Sequence, residues 1–303
     1  MSEAVQRPIV EAGIDNTDAV PVSLPAWQWI VLLTLAGWLY HSILASLAHQ
    51  WWTDPNFSHG VFVPLFVAFV IWRERNELAR IPVKPSWAGL PIIVLALVIL
   101  LAGVFGAELF LSRSSLILLA GGCVVHFAGW RYFRALLLPW FFLFLMIPIP
   151  AIVFNQITLP LQFFASETAA DILRLLGVPV LREGNVIVLP RMPLEVAEAC
   201  SGIRSLMSLG TMAIIYGYFA DSSVWRRVVL ALMAIPVSVA ANALRIVGTG
   251  LTVQYWDPDK ALGFFHEFSG WLIFVVSLIM LFALHALLRK TSQWLGGKHE
   301  IVS

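Results

Sequence analysis

Eight apolar stretches, most of them close to bilayer-crossing length, constrain this chain more than any other feature of its sequence. A helix needs about 20 mostly apolar residues to cross the hydrocarbon core. The stretches run Pro25 to Leu47, Gly60 to Trp72, Trp87 to Phe105, Ser115 to Gly129, Phe133 to Ile152, Ile203 to Phe219, Val224 to Thr249 and Phe268 to Leu288, the second and fourth being short. With 59% hydrophobic and only 12% charged residues among 303, the chain carries too much apolar surface for a soluble domain of this size. The expected fold class is an all-α integral membrane protein. It is a bundle of about eight transmembrane helices, with a short extracytoplasmic amphipathic helix and a β-hairpin ahead of Cys200.

In such a protein the placement of Lys and Arg carries the information that net charge does not. Arg73, Arg75, Arg80 and Lys84 fall between the second and third stretches, and Arg131 and Arg134 between the fourth and fifth. Arg226 and Arg227 fall between the sixth and seventh, and Arg289, Lys290 and Lys298 follow the eighth. Every second loop is therefore basic, which predicts cytoplasmic termini and outer loops at His49 to Ser58 and Val253 to Phe265. Residues 1–24 lack the basic start and short apolar core of a cleavable signal and read as a disordered cytoplasmic tail. Residues 25–290 form one membrane domain, and 291–303 a second cytoplasmic tail. No nucleic-acid partner is expected.

The one sizeable outer region is Ala151 to Cys200. From Leu161 to Leu176, Gln162, Ser166, Glu167, Asp171 and Arg174 recur at helical spacing opposite Phe163, Phe164, Ile172 and Leu175, predicting an amphipathic helix in the outer interface. From Leu181 to Ala197 the pattern turns β-branched, with Val186, Ile187, Val188 and Val196 around Pro190 and Pro193, predicting a short hairpin.

That hairpin delivers the chain to Cys200, at the start of the sixth stretch. Unpaired N–H groups and the helix dipole favour an anion there, and a helix N-terminus lowers a thiol's pKa and makes it a nucleophile. The competing reading is a small buried residue. The seventh stretch carries Ser238, Asn242, Arg245 and Thr249 at spacings of four, three and four, a polar stripe on one helix face. A charge inside a membrane helix normally faces the bundle interior or a wet cavity, although an arginine here could also snorkel to the headgroups. His266 precedes the eighth stretch, and imidazole is the usual proton carrier. Alone it reads as an interfacial histidine; beside Cys200 and Arg245 it completes a cysteine-based acyl-transfer set. Arg204 and Asn242 are supporting residues.

His41, His49, His59, His126 and His285 show no metal-ligand spacing and read as packing or interfacial groups. Neither a metal nor a cofactor is expected. Cys123 reads as core packing and a free thiol. A non-catalytic transport or binding module, with the polar stripe lining a permeation path, is the alternative.

Three pieces resemble the exosortase and archaeosortase family of membrane transpeptidases. They are Ala199-Cys200-Ser201-Gly202-Ile203-Arg204 with Leu206, Ala241-Asn242-Ala243-Leu244-Arg245-Ile246, and Phe265-His266 with Gly270-Trp271. Arg182-Glu183-Gly184-Asn185 upstream is similar too. The resemblance spans about Pro25 to Arg289. It implies a thiol protease and transpeptidase of the bacterial inner membrane, active on its extracytoplasmic face, with Cys200 as nucleophile, His266 in proton transfer and Arg245 as carbonyl stabiliser. Its implied partners are the lipid bilayer, an acyl acceptor of unknown identity and exported proteins ending in a recognition motif, an apolar helix and a basic tail. Pro-Glu-Pro signals in bacteria making exopolysaccharide typify such substrates.

Overall fold

The computed structural model describes residues 25–196, 202–256 and 264–299, excepting the side chains of 264–267 and 293–299. Its helices are α1 (Ala26–Thr53), α2 (Phe62–Arg73), α3 (Arg75–Leu78), α4 (Gly89–Phe105), α5 (Leu109–Phe127), α6 (Trp130–Ala135), α7 (Leu137–Phe142), α8 (Ala151–Leu175), α9 (Ile203–Ala220), α10 (Val224–Tyr255) and α11 (Phe264–His299). Many large apolar side chains on α1, α4 and α11 are exposed, including Leu33, Trp38, Leu101 and Ile279. Such outward apolarity suits contact with lipid.

The expected fold class holds, but the count of spans is lower than eight. Among the described residues, α1, α5, α10 and the Phe268–Ser292 part of α11 are long and apolar enough to cross a bilayer. A fifth crossing is available if Leu137–Met146 and Ala151–Leu175, bent by 78° at their junction, count as one span. The reason lies in Pro148 and Pro150. Proline removes a backbone donor and fixes φ, and its predecessor is pushed out of the α region, so the expected Phe133 to Ile152 helix stops after the 3-10 turn and restarts as α8, while Pro139, which cannot donate to the Ala135 carbonyl, separates α6 from α7. The 12 residues of α2 and 17 of α4 are shorter than a full span.

The expected interfacial helix is the C-terminal half of the 25-residue α8. Its buried face is made of small residues, Ala165, Ser166, Ala169 and Ala170 with Leu173, while Phe164 and Leu175 are exposed. Ser166, expected on the polar outer face, is fully buried and shares its hydroxyl between the carbonyls of Phe163 and Gly184. The expected hairpin carries a third strand. Strands β1 (Leu181–Glu183), β2 (Val186–Val188) and β3 (Pro193–Glu195) form an antiparallel meander in that order, with Ile187 opposite Arg182 on one side and Leu194 on the other. Gly184 turns β1 into β2 at φ 64°. Ile187, Leu189, Leu194 and Val196 pack on Ala169 and Leu173 of α8 and on Ile246, Val247 and Val253 of α10. Paired backbone and side-chain bonds between Asn185 and Val196 hold the meander's exit.

From there α9, α10 and α11 run alternately up and down against one another. Pro236 lies inside α10, two residues before Ser238.

Candidate active site

The site is built where the N-terminus of α9 meets α10. Gly202 precedes α9 at φ 82°, a left-handed conformation that only glycine adopts at little cost. Its backbone lies directly against the polar stripe of α10: a Cβ built at Gly202 would stand 3.2 Å from Asn242 Cβ. The Ser238 hydroxyl donates to the Gly202 carbonyl at 3.2 Å. Ser238 and Asn242 are both buried, so two positions of the stripe are spent on fixing the chain two residues after Cys200.

Three residues on from Asn242, Arg245 reaches α11. Its Nε donates to Ser269 Oγ at 3.4 Å, and its guanidinium lies over Gly270, where a Cβ would come within 3.2 Å of Nη2. A glycine at 270 is what leaves room for the guanidinium. Residue 266 precedes Gly270 by four on the same helix, a spacing that puts the two on one face. The Thr249 hydroxyl bonds back within α10, to the Arg245 carbonyl at 3.0 Å.

Cys200, and the side chain of His266, lie outside the described residues. The structure does bring together their neighbours, Gly202 on α9 and Gly270 on α11, through a single face of α10. Arg204, half-buried and the second residue of α9, donates from Nε to Asn56 Oδ1 at 3.2 Å. Asn56, in the loop after α1, is itself buried and was not singled out by the sequence. Its one local sign is Asp54, whose carboxylate accepts the Asn56 N–H at 2.9 Å.

An apolar cavity of about 620 Å³ flanks the middle of α9, lined by Phe62 and Phe66 of α2, Ser208, Met212 and Ile215 of α9, and Phe274 of α11. Among the described residues no group of three His, Cys, Asp or Glu side chains could hold a metal.

The opposite ends of α9, α10 and α11 are fastened by a buried carboxylate. Asp221 accepts from Arg226 Nε at 2.5 Å and Nη2 at 2.7 Å, from the Ser223 N–H at 2.8 Å, and pairs with His285 Nε2 at 3.1 Å. His285 Nδ1 in turn meets the Tyr216 hydroxyl at 2.9 Å. The Arg226 guanidinium holds the Asp221 carboxyl well below the usual carboxylate range, and Ser223 and His285 assist while burial opposes. His285 is therefore a buried member of a polar cluster. Arg226, read from the sequence as a loop charge, is engaged in an ion pair.

Residues 51–283 match the family model described as Transmembrane exosortase (Exosortase_EpsH). The chain belongs to the transmembrane exosortase family. The match takes in the Cys200, Arg245 and His266 motifs together with Asn56, Asp221 and most of the described helices. No match is found among curated proteins or among solved structures. Membership makes the chain a multi-pass membrane protein of a family of sorting transpeptidases.

Proposed function

We propose that this exosortase cleaves a peptide bond in the C-terminal sorting signal of exported proteins through a thioester on Cys200. The observation that carries the reading is the α10 stripe, whose Ser238 and Asn242 touch the chain beside Cys200 while Arg245, one turn away, touches α11 beside His266.

In the reaction the Cys200 thiolate attacks the scissile carbonyl carbon, and the carbonyl oxygen takes the negative charge. Arg245 stabilises that oxygen with the planar donor fork of a guanidinium. The tetrahedral species collapses as the C–N bond breaks and His266, as imidazolium, delivers a proton to the departing amine. A thioester remains. An acceptor amine or water then attacks it, His266 takes the nucleophile's proton, and the sulfur leaves as thiolate. The apolar cavity along the middle of α9 gives the signal's apolar helix a flank further along α9 from the reacting bond. The reading puts the site on the extracytoplasmic face of a bacterial inner membrane, with Pro-Glu-Pro-type signals and exopolysaccharide or cell-surface assembly as its setting.

The test is co-expression of an exported reporter carrying such a signal with the parent protein and with Cys200→Ala. Processing should disappear in the variant while its thermal melting in detergent stays the same. Unchanged processing would remove the thioester and return the polar stripe to a binding or transport role.

A further inference from the structure

The first turn of α9 is gripped from outside by the loop that follows α1. Consecutive residues of that loop meet consecutive residues of the helix. Phe57, buried, packs with Phe154 on Ile203, the first residue of α9, and Asn56 accepts the Nε–H of Arg204, the second, at 3.2 Å. The loop is stiff for local reasons. Asp54 Oδ1 accepts the Asn56 N–H at 2.9 Å, the Asp54 carbonyl accepts the Phe57 N–H at 3.1 Å, and the Phe57 carbonyl accepts the Gly60 N–H at 2.9 Å. Gly60 lies against the Trp51 indole, where a Cβ would collide with Nε1, and that nitrogen donates to the Met146 carbonyl at 2.8 Å.

The choice of acceptor for Arg204 is the informative point. A carboxylate stands two residues before Asn56, yet Asp54 turns to the Asn56 N–H, and the guanidinium is left to a buried carboxamide. Among the described residues no carboxylate lies within ion-pair distance of Arg204. A neutral acceptor fixes a guanidinium without cancelling its charge, and the bond from Nε occupies only one of its five N–H donors. The charge so held stands at a helix N-terminus, which itself favours an anion, four residues after Cys200 in the sequence. An adjacent cation holds a thiol in its reactive thiolate form.

We propose that Asn56 is a positioning residue for the reaction: through an uncharged bond it holds the Arg204 guanidinium at the start of α9, where the intact charge favours the Cys200 thiolate. The proposal rests on the thioester reading of Cys200. It gives the outer loop after α1 a part in the chemistry and leaves the carbonyl to Arg245 and the proton to His266. Other titratable groups surround the pair. Asp54 and His59 share the loop, Glu108 and the buried Arg113 of α5 line a cavity of about 410 Å³ together with Asn56, Arg245 lies on α10, and Glu198 and Glu267 lie within two residues of Cys200 and His266 in the sequence. Every variant below keeps all of them, so differences between variants read the Asn56 and Arg204 pair alone.

The test is the pH dependence of Cys200 alkylation by iodoacetamide in the full-length protein in lipid nanodiscs. Cys123→Ala leaves a single thiol, and intact-protein mass spectrometry is the readout. The midpoint in this parent should lie below the ordinary thiol value of about 8.5. Arg204→Gln should raise it by about one pH unit, a roughly tenfold slower reaction at pH 7. Asn56→Asp keeps the acceptor and its shape but pairs the guanidinium with a carboxylate, and should raise the midpoint by a similar amount; a residue that only packed the loop would leave it where it was. Asn56→Ala should raise the midpoint in the parent and have no effect once Arg204→Gln is present, because Asn56 acts through the guanidinium. A midpoint that Arg204→Gln does not move overturns the proposal, and this variant leaves the Asn56 side chain in place. An Asn56→Ala shift of equal size with and without the Arg204 charge overturns it as well. Alkylation and cleavage fail separately. Raised midpoints in the variants, with no reporter cleavage by the parent, sink the thioester and keep the pairing, whereas cleavage by the parent with one midpoint common to all variants sinks the pairing.

Discussion

Gly202→Ala tests the junction between α9 and α10 at its tightest point. A non-glycine residue held at φ 82° costs roughly 1–2 kcal/mol. The added Cβ would stand 3.2 Å from Asn242 Cβ and 3.3 Å from its Cγ, inside the ordinary carbon contact of about 3.5–4.0 Å, so one side must retreat by a few tenths of an ångström. Retreat also loosens the Ser238 hydroxyl from the Gly202 carbonyl, a bond worth about 0.5–1.5 kcal/mol. Together these come to roughly 2–3 kcal/mol, concentrated two residues from Cys200. If the strain is relieved by moving that segment, processing falls about 30- to 160-fold at 1.36 kcal/mol per tenfold. The assay is reporter cleavage rate at matched protein levels, with thermal melting alongside. Gly210→Ala is the control, since on the same helix its new Cβ meets nothing within 4 Å. Ser238→Ala combined with Gly202→Ala should lose less than the sum of the single effects, because both loosen one contact. A Gly202→Ala protein that cleaves as fast as Gly210→Ala would refute the reasoning.

Arg245→Lys keeps the charge but loses the planar fork, so cleavage should drop roughly 100- to 1,000-fold with expression retained; near-normal turnover would take Arg245 off the catalytic list. For topology, Ser58→Cys in a Cys123→Ala, Cys200→Ala background should react with a membrane-impermeant thiol reagent in intact cells and Arg80→Cys should not; the reverse pattern would put the site inside. Asp221 has a depressed folded pKa, so its contribution to stability is fully present above its unfolded value of about 3.9 and is lost as pH falls through the lower folded value. The melting-temperature gap between the parent and Asp221→Asn should therefore hold from pH 8 to about 5 and narrow only below about pH 4. A gap that closed near pH 6 would point to another group.

The parts of this architecture that were legible in the sequence were those set by local pattern. The stripe at Ser238, Asn242 and Arg245 follows from helical spacing alone, and the structure adds what each member touches. The meander was half visible, because Val186 to Val188 announce a strand while Pro193 hid the third one behind a turn signal. Arg113 could have been found. Beginning the fourth apolar stretch at Ser115 left the charge outside, whereas α5 begins at Leu109 and encloses it. Contacts between residues distant in sequence, such as Asn56 with Arg204 and Asp221 with His285, leave no periodic mark. The small-residue face of α8 went unread for a different reason: alanines look neutral in a hydrophobicity pattern, and close packing against a sheet is what selects them.

Pro236 gives α10 a mechanical character of its own. Lacking an N–H, it leaves the Leu232 carbonyl without its helical donor, and the weakened turn falls between the half anchored at Asp221 and the half that carries Asn242 and Arg245. The helix is thus two stiff levers joined by a pivot. On the proposed reading, a peptide entering beside Cys200 would load the half that carries Arg245 and leave the half anchored at Asp221 in place, so heat resistance and turnover would be separately adjustable properties of one continuous helix.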